Sequence, residues 1–363
     1  MKKKIQILLL IIIIIILIVP QLIITFEKFK LNIIKNNAIR IAKIADEYFM
    51  REQKLEHIYP LEKIECSKIP KLNVSNKNCK VKYGNGMSIV FLENDRKYSC
   101  IGTRDDMICI QKNNIKGKNA VDTIISLCTD SCKDGIPNSL GLYKDMYGNY
   151  RYSGLNPANY VKFNGETWRI IGVFDGRIKI IRNDSLGDFV FDDTHPYSNE
   201  WAISNISKKL NMDYLINTVG NGLHLNSDAQ SLIGYEIWYT SGIDSVQDSI
   251  EKIYESEHEN KYARWIGEIG LMYISDYLYA GSNCYNDGYS CKEDNWLYNE
   301  KYQWVISPYL SHFGFTWYID PHGFISSNYG VDNSFSVRPT LYLLPDVHVM
   351  GSGTVTSPFQ FNI

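Results

Sequence analysis

The 363-residue chain carries no HExxH pair, no GxSxG elbow and no P-loop, so the usual zinc-hydrolase, serine-hydrolase and nucleotide-cradling residue sets are missing. It has no CxxC pair, and its seven histidines are scattered without zinc-type spacing. Neither sign of charge dominates. Lys and Arg number 38 against 40 for Asp and Glu, giving a net charge of -2, and the basic residues form no long block. That balance excludes the electrostatic footprint of a nucleic-acid binder. EF-hand spacing and a Glu-Pro-Asn sugar-binding triplet are also absent. No small-x-small cleavage site follows the N-terminal apolar run.

Cysteine, by contrast, is well represented. Cys66, Cys79, Cys100, Cys109, Cys128, Cys132, Cys284 and Cys291 make an even set, all beyond the first 60 residues. In an exported chain this reads as disulfides rather than metal. Cys128 with Cys132 and Cys284 with Cys291 are the local pairs, and the first four would pair among themselves in a connectivity left open. The 26 Tyr and 7 Trp suit a β-rich protein with substantial cores or an adhesive surface.

Residues 1–26 read as a transmembrane signal anchor that contacts the membrane through residues 5–26. Ile7 to Ile24 is apolar but for Pro20 and Gln21. As a helix this run rises about 27 Å, close to the ~30 Å hydrocarbon core. Lys2, Lys3 and Lys4 place the N-terminus inside, while Lys28, Lys30, Lys35, Arg40 and Lys43 argue the reverse. The cysteines decide, so a single-pass protein of the cell membrane with residues 27–363 outside the cytoplasm is expected. Residues 27–58 read as an amphipathic stalk helix, with Phe29, Ile33, Ile34, Ile41, Ile44 and Tyr48 at helical spacing. A long apolar helix followed by a small cysteine-bearing β region resembles the type IV pilin and pseudopilin plan. The resemblance implies a pilus-like assembly. Here the apolar run follows Lys4 directly and contains no Glu.

The expected fold class is α+β: the helix, a small disulfide-bearing β module at 59–112, linker and loop at 113–150, a mixed antiparallel domain at 151–350 and a tail at 351–363. In the module, Cys79, Cys100 and Cys109 are expected at strand ends. In the domain, Asn164-Gly165 and Asp175-Gly176 mark two-residue hairpin turns. They define strands at 160–163, 166–174 and 177–182. Strict alternation puts Trp168, Ile170 and Phe174 on one face, and Arg169, Ile171 and Val173 on the other. Trp168 is expected as a core anchor and Arg169 as an internal tie to Glu268, Asp276 or the backbone near Arg338-Pro339, with Arg338 also structural. Further expectations are a helix at 201–217, Ser275 or Asp276 capping a short helix, a 303–307 strand, a 315–326 hairpin, and a last strand that Pro339 starts.

The ordered segments ETWRIIG, KKLN, GLMYISDYLYA, QWVISP and VRPTLYL resemble a family of bacterial extracytoplasmic domains of unknown function. Those domains are similar in layout to the C-type lectin-like fold, including its formylglycine-generating-enzyme-like branch. The resemblance implies a binding domain. Its enzymatic branch would need Cys284 and Cys291 as a redox pair, and their surroundings do not match. Loops 281–304 and 311–336 carry the rigid aromatics and adaptable polar groups of recognition surfaces. The candidate ligand-binding residues are Tyr285, Tyr289, Trp296, Tyr298, Phe313, Trp317, Tyr318 and Tyr329. No catalytic residue, resident metal or cofactor is expected. Calcium is the one cation weighed, through Asn283, Asn286, Asp287, Glu293, Asp294 and Asn295. A membrane-anchored, non-enzymatic binder of a glycan or protein is the expected function, with a minor pilin-like subunit as the alternative.

Overall fold

A computed structural model describes residues 2–54, 63–72, 78–84, 87–94, 98–111, 117–128, 130–133, 135–216, 223–259, 263–281, 284 and 291–362. For residues 2–18, 20, 23, 24, 53, 54, 110, 130, 131 and 259 it gives the backbone course alone. The chain divides into two compact units, Met1–Asn113 and Asn114–Ile363.

In the first unit one helix, α1 (Lys2–Lys54), runs through both the expected anchor and the expected stalk. Among the described residues no helix is long and apolar enough to cross a membrane. Most side chains of the expected span, residues 5–26, lie outside the described ones. The C-terminal half of α1 follows its own periodicity. Ile34, Ala38, Ile41, Ala42, Ala45 and Phe49 form one buried stripe. That stripe lies on an antiparallel meander of β1 (Ile64–Glu65), β2 (Cys79–Gly84), β3 (Met87–Asn94), β4 (Tyr98–Gly102) and β5 (Met107–Gln111). Three alanines in the stripe let the helix backbone approach the sheet closely, while each fully buried Ile or Phe contributes about 1.5–3 kcal/mol. Phe49 stacks on Tyr83 with ring centroids 4.8 Å apart. Polar stitches hold the register: the buried Asp46 accepts from the Ser88 amide at 2.5 Å, and Glu27 accepts from Tyr98 and Gln111.

All eight cysteines are paired: Cys66–Cys79, Cys100–Cys109, Cys128–Cys132 and Cys284–Cys291. Cys100 and Cys109 are not at strand ends as expected. They sit opposite each other within β4 and β5, where their register makes them direct cross-strand partners.

The second unit is built on a long sheet. Its main path orders Ile233–Gly234, Thr340–Leu343, Arg177–Arg182, Glu166–Phe174, Tyr160–Phe163, Phe359–Asn362, His348–Met350 and Lys118–Asn119. Only the Tyr160–Phe163 and Phe359–Asn362 neighbours on that path run parallel. Segments read as linker and tail are therefore sheet strands, and Leu142–Lys144 and Tyr150–Tyr152 join the same sheet. A second sheet orders Asp188–Val190, Ser334–Ser336, Gln303–Pro308, Thr316–Ile319 and Ile325–Ser326. The Asn-Gly and Asp-Gly turns are where the sequence puts them, with Asn164, Gly165, Asp175 and Gly176 all at positive φ. Pro339 precedes the Thr340–Leu343 strand. The expected 201–217 helix is instead a 3-10 turn at Trp201–Ile203, a short α-helix at Asn205–Lys208 capped by Ser204, and a π-turn at Lys209–Tyr214.

The central strand departs from strict alternation. Its register against Arg177–Arg182 shifts between Ile170 and Gly172, leaving Ile171 as an extra, bulged residue. Beyond the bulge the faces exchange, so Val173 joins Trp168 and Ile170, while Phe174 joins Arg169. Gly172 is required there because a Cβ would lie 2.3 Å from the Tyr150 carbonyl oxygen. Cross-strand partners place Arg151, Arg177 and Lys179 on the Arg169 face.

These cations are buried and most are matched. Arg177 donates to Glu236 at 2.9 Å and to the carbonyls of Gly234, Tyr235, Tyr342 and Leu343. Arg151 donates to Asp145 at 2.6 Å and to Asp276 at 3.4 Å. Lys179 donates to the other oxygen of Asp276. Burial alone would raise the Asp276 carboxyl, but the Lys179 ammonium and the Arg151 guanidinium outweigh it and hold the group below the usual range. Asp276 is thus no exposed cap. It lies at the third residue of the Ile274–Tyr279 helix, turned inward, where it also accepts from the Tyr273 amide at 3.0 Å.

Nearby, Glu257 accepts from the amides of Ile274 and Ser275 and from the Ser307 hydroxyl. Burial pushes Glu257 up to about 7 and pushes its neighbour His258 down to about 4.

Removing one member of a buried charge group costs about 3–5 kcal/mol, so Asp276→Ala is expected to lower the melting temperature sharply in calorimetry. The pH response has opposing parts. The folded state holds a proton on Glu257 that the unfolded chain loses near 4.5, so this contribution falls as pH rises toward 7. His258 has lost in the folded state a proton that the unfolded chain keeps up to about 6.5, so its contribution rises with pH from about 4. Melting series from pH 4.5 to 7 are therefore expected to slope upward in Glu257→Gln and downward in His258→Leu, relative to the parent.

Candidate functional site

Alternation along the second sheet gathers aromatic side chains on one face. Trp304 and Tyr318 are direct cross-strand partners. Tyr302 lies two residues before Trp304 and so shares its side, and Phe335 comes from the neighbouring Ser334–Ser336 strand. The rings touch in sequence. Trp304 and Phe335 are 4.4 Å apart between centroids, Phe335 and Tyr302 stack at 4.9 Å, and Tyr302 meets Tyr329 edge-on at 5.7 Å. Tyr318 closes the cluster at 5.0 Å from Phe335 and 5.6 Å from Tyr329.

Exposure climbs along this path. Trp304 is 0 % exposed, Tyr318 2 %, Phe335 8 %, Tyr302 37 % and Tyr329 41 %. The outer two rings are therefore displayed to solvent while their inner neighbours fix them. Each aromatic contact contributes about 0.5–1.5 kcal/mol beyond simple burial.

Polar groups line the displayed end. Asn328, an exposed residue, accepts through Oδ1 from the Tyr318 and Ser326 hydroxyls. The turn after Tyr318 is shaped by Asp320, whose carboxylate accepts from the His322 and Phe324 amides at 2.8 and 2.9 Å. The Tyr329 phenol holds Tyr302 above the usual tyrosine range. The arrangement can stack the apolar face of a ligand on two rings and hydrogen-bond its polar edge.

The expected binding residues separate into three groups. Tyr318 and Tyr329 come together here, and Tyr298 is half-buried, donating to the Pro321 carbonyl under the same turn. Trp296 and Trp317 are buried rather than displayed. Trp296 donates to the Tyr152 carbonyl and Trp317 to that of Ile243, so each indole anchors a loop. Phe313 is exposed, and among the described residues no ring pair joins it to the cluster. Tyr285 and Tyr289 lie outside the described residues. Tyr302 and Phe335 were missed, although the i, i+2 relation of Tyr302 to Trp304 points to the first.

For calcium, Asn283, Asn286 and Asp287 lie outside the described residues. The Asn295 amide is committed to the Tyr277 carbonyl and the Leu297 amide. No group of three or more His, Cys, Asp or Glu is placed to hold an ion among the described residues. The thiols of Cys284 and Cys291 are joined to each other.

Among the described residues, clefts also lie elsewhere. One, of about 410 Å³, runs along the π-turn between Phe189 and Met212. Another, of about 500 Å³, lies beside Asp244 and Leu310. Most charged groups in both are engaged: Lys209 with Asp213, Asp193 with Asn205, Asp248 with Lys252, and Asp244 with Ser311.

Display and packing make different demands on stability. Phe335→Ala is expected to cost about 3–5 kcal/mol, whereas Tyr302→Ala should cost about 1 kcal/mol. Urea unfolding of the two variants checks this, and equal losses would show that Tyr302 is packed rather than presented.

No protein-family model, no curated protein and no solved structure matches this chain.

Proposed function

We propose that the chain is a membrane-anchored, extracytoplasmic, non-enzymatic binding protein whose second unit, of C-type lectin-like layout, engages a glycan or a protein through the Tyr302–Tyr329 face. One observation carries the reading: two exposed tyrosines are held rigid by a stack of buried rings. Rings that need no ordering on contact lose little entropy in binding, which is the economy of aromatic recognition surfaces. The four disulfides support an oxidising compartment. The apolar run Ile7–Ile24 supports the anchor.

A second reading has its own observation. In the first unit, one half of α1 is buried on an antiparallel sheet. Further back along the same helix, Leu22, Phe26, Phe29 and Ile33 remain exposed at helical spacing. That division of labour supports a minor pilin-like subunit, its free helix face meeting lipid or neighbouring helices.

Glycan-array and pull-down screens with the full chain in detergent, with and without calcium, test the first reading. Binding is expected, and Tyr302→Ala with Tyr329→Ala should weaken it by roughly tenfold or more (on the order of 1–2 kcal/mol) while the protein stays folded. Silence in both screens, or binding unchanged in the double variant, would sink it. Intact-mass measurement on native protein addresses the second reading. An N-terminus still carrying Lys2–Lys4 would exclude pilin-type processing.

A further inference from the structure

On the charged face of the central strand, Arg151, Arg177 and Lys179 each meet a carboxylate, and Arg169 does not. Arg169 donates from Nε to Asn159 Oδ1 at 2.5 Å and from Nη2 to the Pro157 carbonyl at 3.5 Å. Its guanidinium lies 3.7 Å from the Tyr160 ring centre and 4.9 Å from that of Trp296. A second arginine arrives at the same place. Arg338 donates from Nε to the Arg182 carbonyl and from Nη1 to the Leu297 carbonyl, both at 2.9 Å. Leu297 follows Trp296, and Arg182 is the cross-strand partner of Trp168, beside Arg169.

As whole residues both are more than nine-tenths buried, with Arg169 at 5 % and Arg338 at 3 % exposure. Every acceptor they use is neutral. Among the described residues Arg169 Nη1 and Arg338 Nη2 have no hydrogen-bond partner. The third arginine nearby, Arg182, spends its charge on Glu166, which it grips at 3.0 and 3.2 Å. The acidic group whose field reaches Arg338 is the exposed Asp184. Burial lowers Arg169 to about 10, and burial with repulsion from Arg169 lowers Arg338 to about 9.

A fold tie alone does not require this arrangement. Burying one unmatched cation is costly, and apolar residues of similar volume serve packing as well or better. Two such cations close enough to repel each other, one against Trp296 and one on the Leu297 carbonyl, each with a free N–H edge, offer the donors that take a compact oxyanion in paired, charge-assisted hydrogen bonds. We infer that Arg169 and Arg338 form an anion-binding site, flanked by Tyr160 and Trp296, for a carboxylate, sulfate or phosphate group. The group could be carried by an acidic glycan or be free in solution. The site is separate from the Tyr302–Tyr329 face and stands without it.

The test is isothermal titration of the full chain in detergent, in chloride buffer at pH 7, with glucuronate, sulfate and phosphate, and with glucose as the neutral control. Saturable binding of at least one anion and none of glucose is expected, weakened at least tenfold in Arg169→Gln and in Arg338→Gln. Glucuronate alone would mark the carboxylate of an acidic sugar, and inorganic sulfate or phosphate a general oxyanion site. Saturation separates the site from the unsaturable stabilisation that sulfate gives any protein. Absence of saturable binding by all three anions overturns the inference, as does binding that persists in both variants. Should the glutamine variants fail to fold, Arg169→Lys and Arg338→Lys decide, since each keeps the charge and loses the planar fork: weaker anion binding is expected, and binding as tight as in the parent overturns the site.

Discussion

Inside the larger unit, the Asp276 carboxylate is shared between Lys179 and Arg151, one oxygen for each. This contact joins a helix to the central sheet at a point that water does not reach. Next to it, Glu257 ties its own helix to the start of the Asp276 helix and, through Ser307, to the second sheet. The two acids thus connect two helices and two sheets through a polar centre. Aromatic rings surround that centre: Tyr273 lies 4.4 Å from the Lys179 ammonium, and Tyr279 lies 4.2 Å from the Arg151 guanidinium. Such a centre is costly to assemble in pieces, because each ion needs the others in place to offset its desolvation. It therefore favours one arrangement of the four elements over near alternatives.

The candidate binding face inherits that order. Gln303–Pro308 carries Trp304 on the aromatic side and Ser307 toward the polar centre. The same strand therefore supports the displayed tyrosines and is held by Glu257. The bulge at Ile171 acts at the other end of this chain of dependence. By exchanging the strand's faces it sets Phe174 beside the cations, where the ring lies 4.7 Å from Arg151 and 5.5 Å from Lys179.

Local signals in the sequence were legible where a single residue type meets a single geometric demand. Asn164-Gly165 and Asp175-Gly176 locate the central hairpins because positive φ narrows the choice of residue. Pro339 locates the start of a strand because it cannot donate to a ladder. The cysteine pairing matched its local partners. The faces of the Glu166–Phe174 strand were not legible beyond Ile170, because an inserted residue leaves no mark in an apolar run. Nor were the partners of Arg169, which rests on Asn159, Pro157 and two rings rather than on Glu268 or Asp276. The burial of all three cations in RIKIIR comes from tertiary contacts that the sequence does not mark. Part of the candidate site was readable through Tyr318 and Tyr329. Trp296 and Trp317 show the difficulty: a loop indole looks the same in sequence whether it greets a ligand or anchors a turn to a carbonyl.

The four disulfides close sequence separations of 13, 9, 4 and 7 residues. Each cysteine bonds the next one along the chain, first with second, third with fourth and so on. A chain that emerges from its N-terminus as it is made delivers these thiols in the order in which they pair. As the second member of each pair emerges, its rightful partner is the cysteine closest in contour, where loop closure is least costly. Oxidation in order of emergence therefore reaches the final pattern without rearrangement, and the covalent frame can be complete before the last strand, Phe359–Asn362, arrives to fill its place beside Tyr160–Phe163.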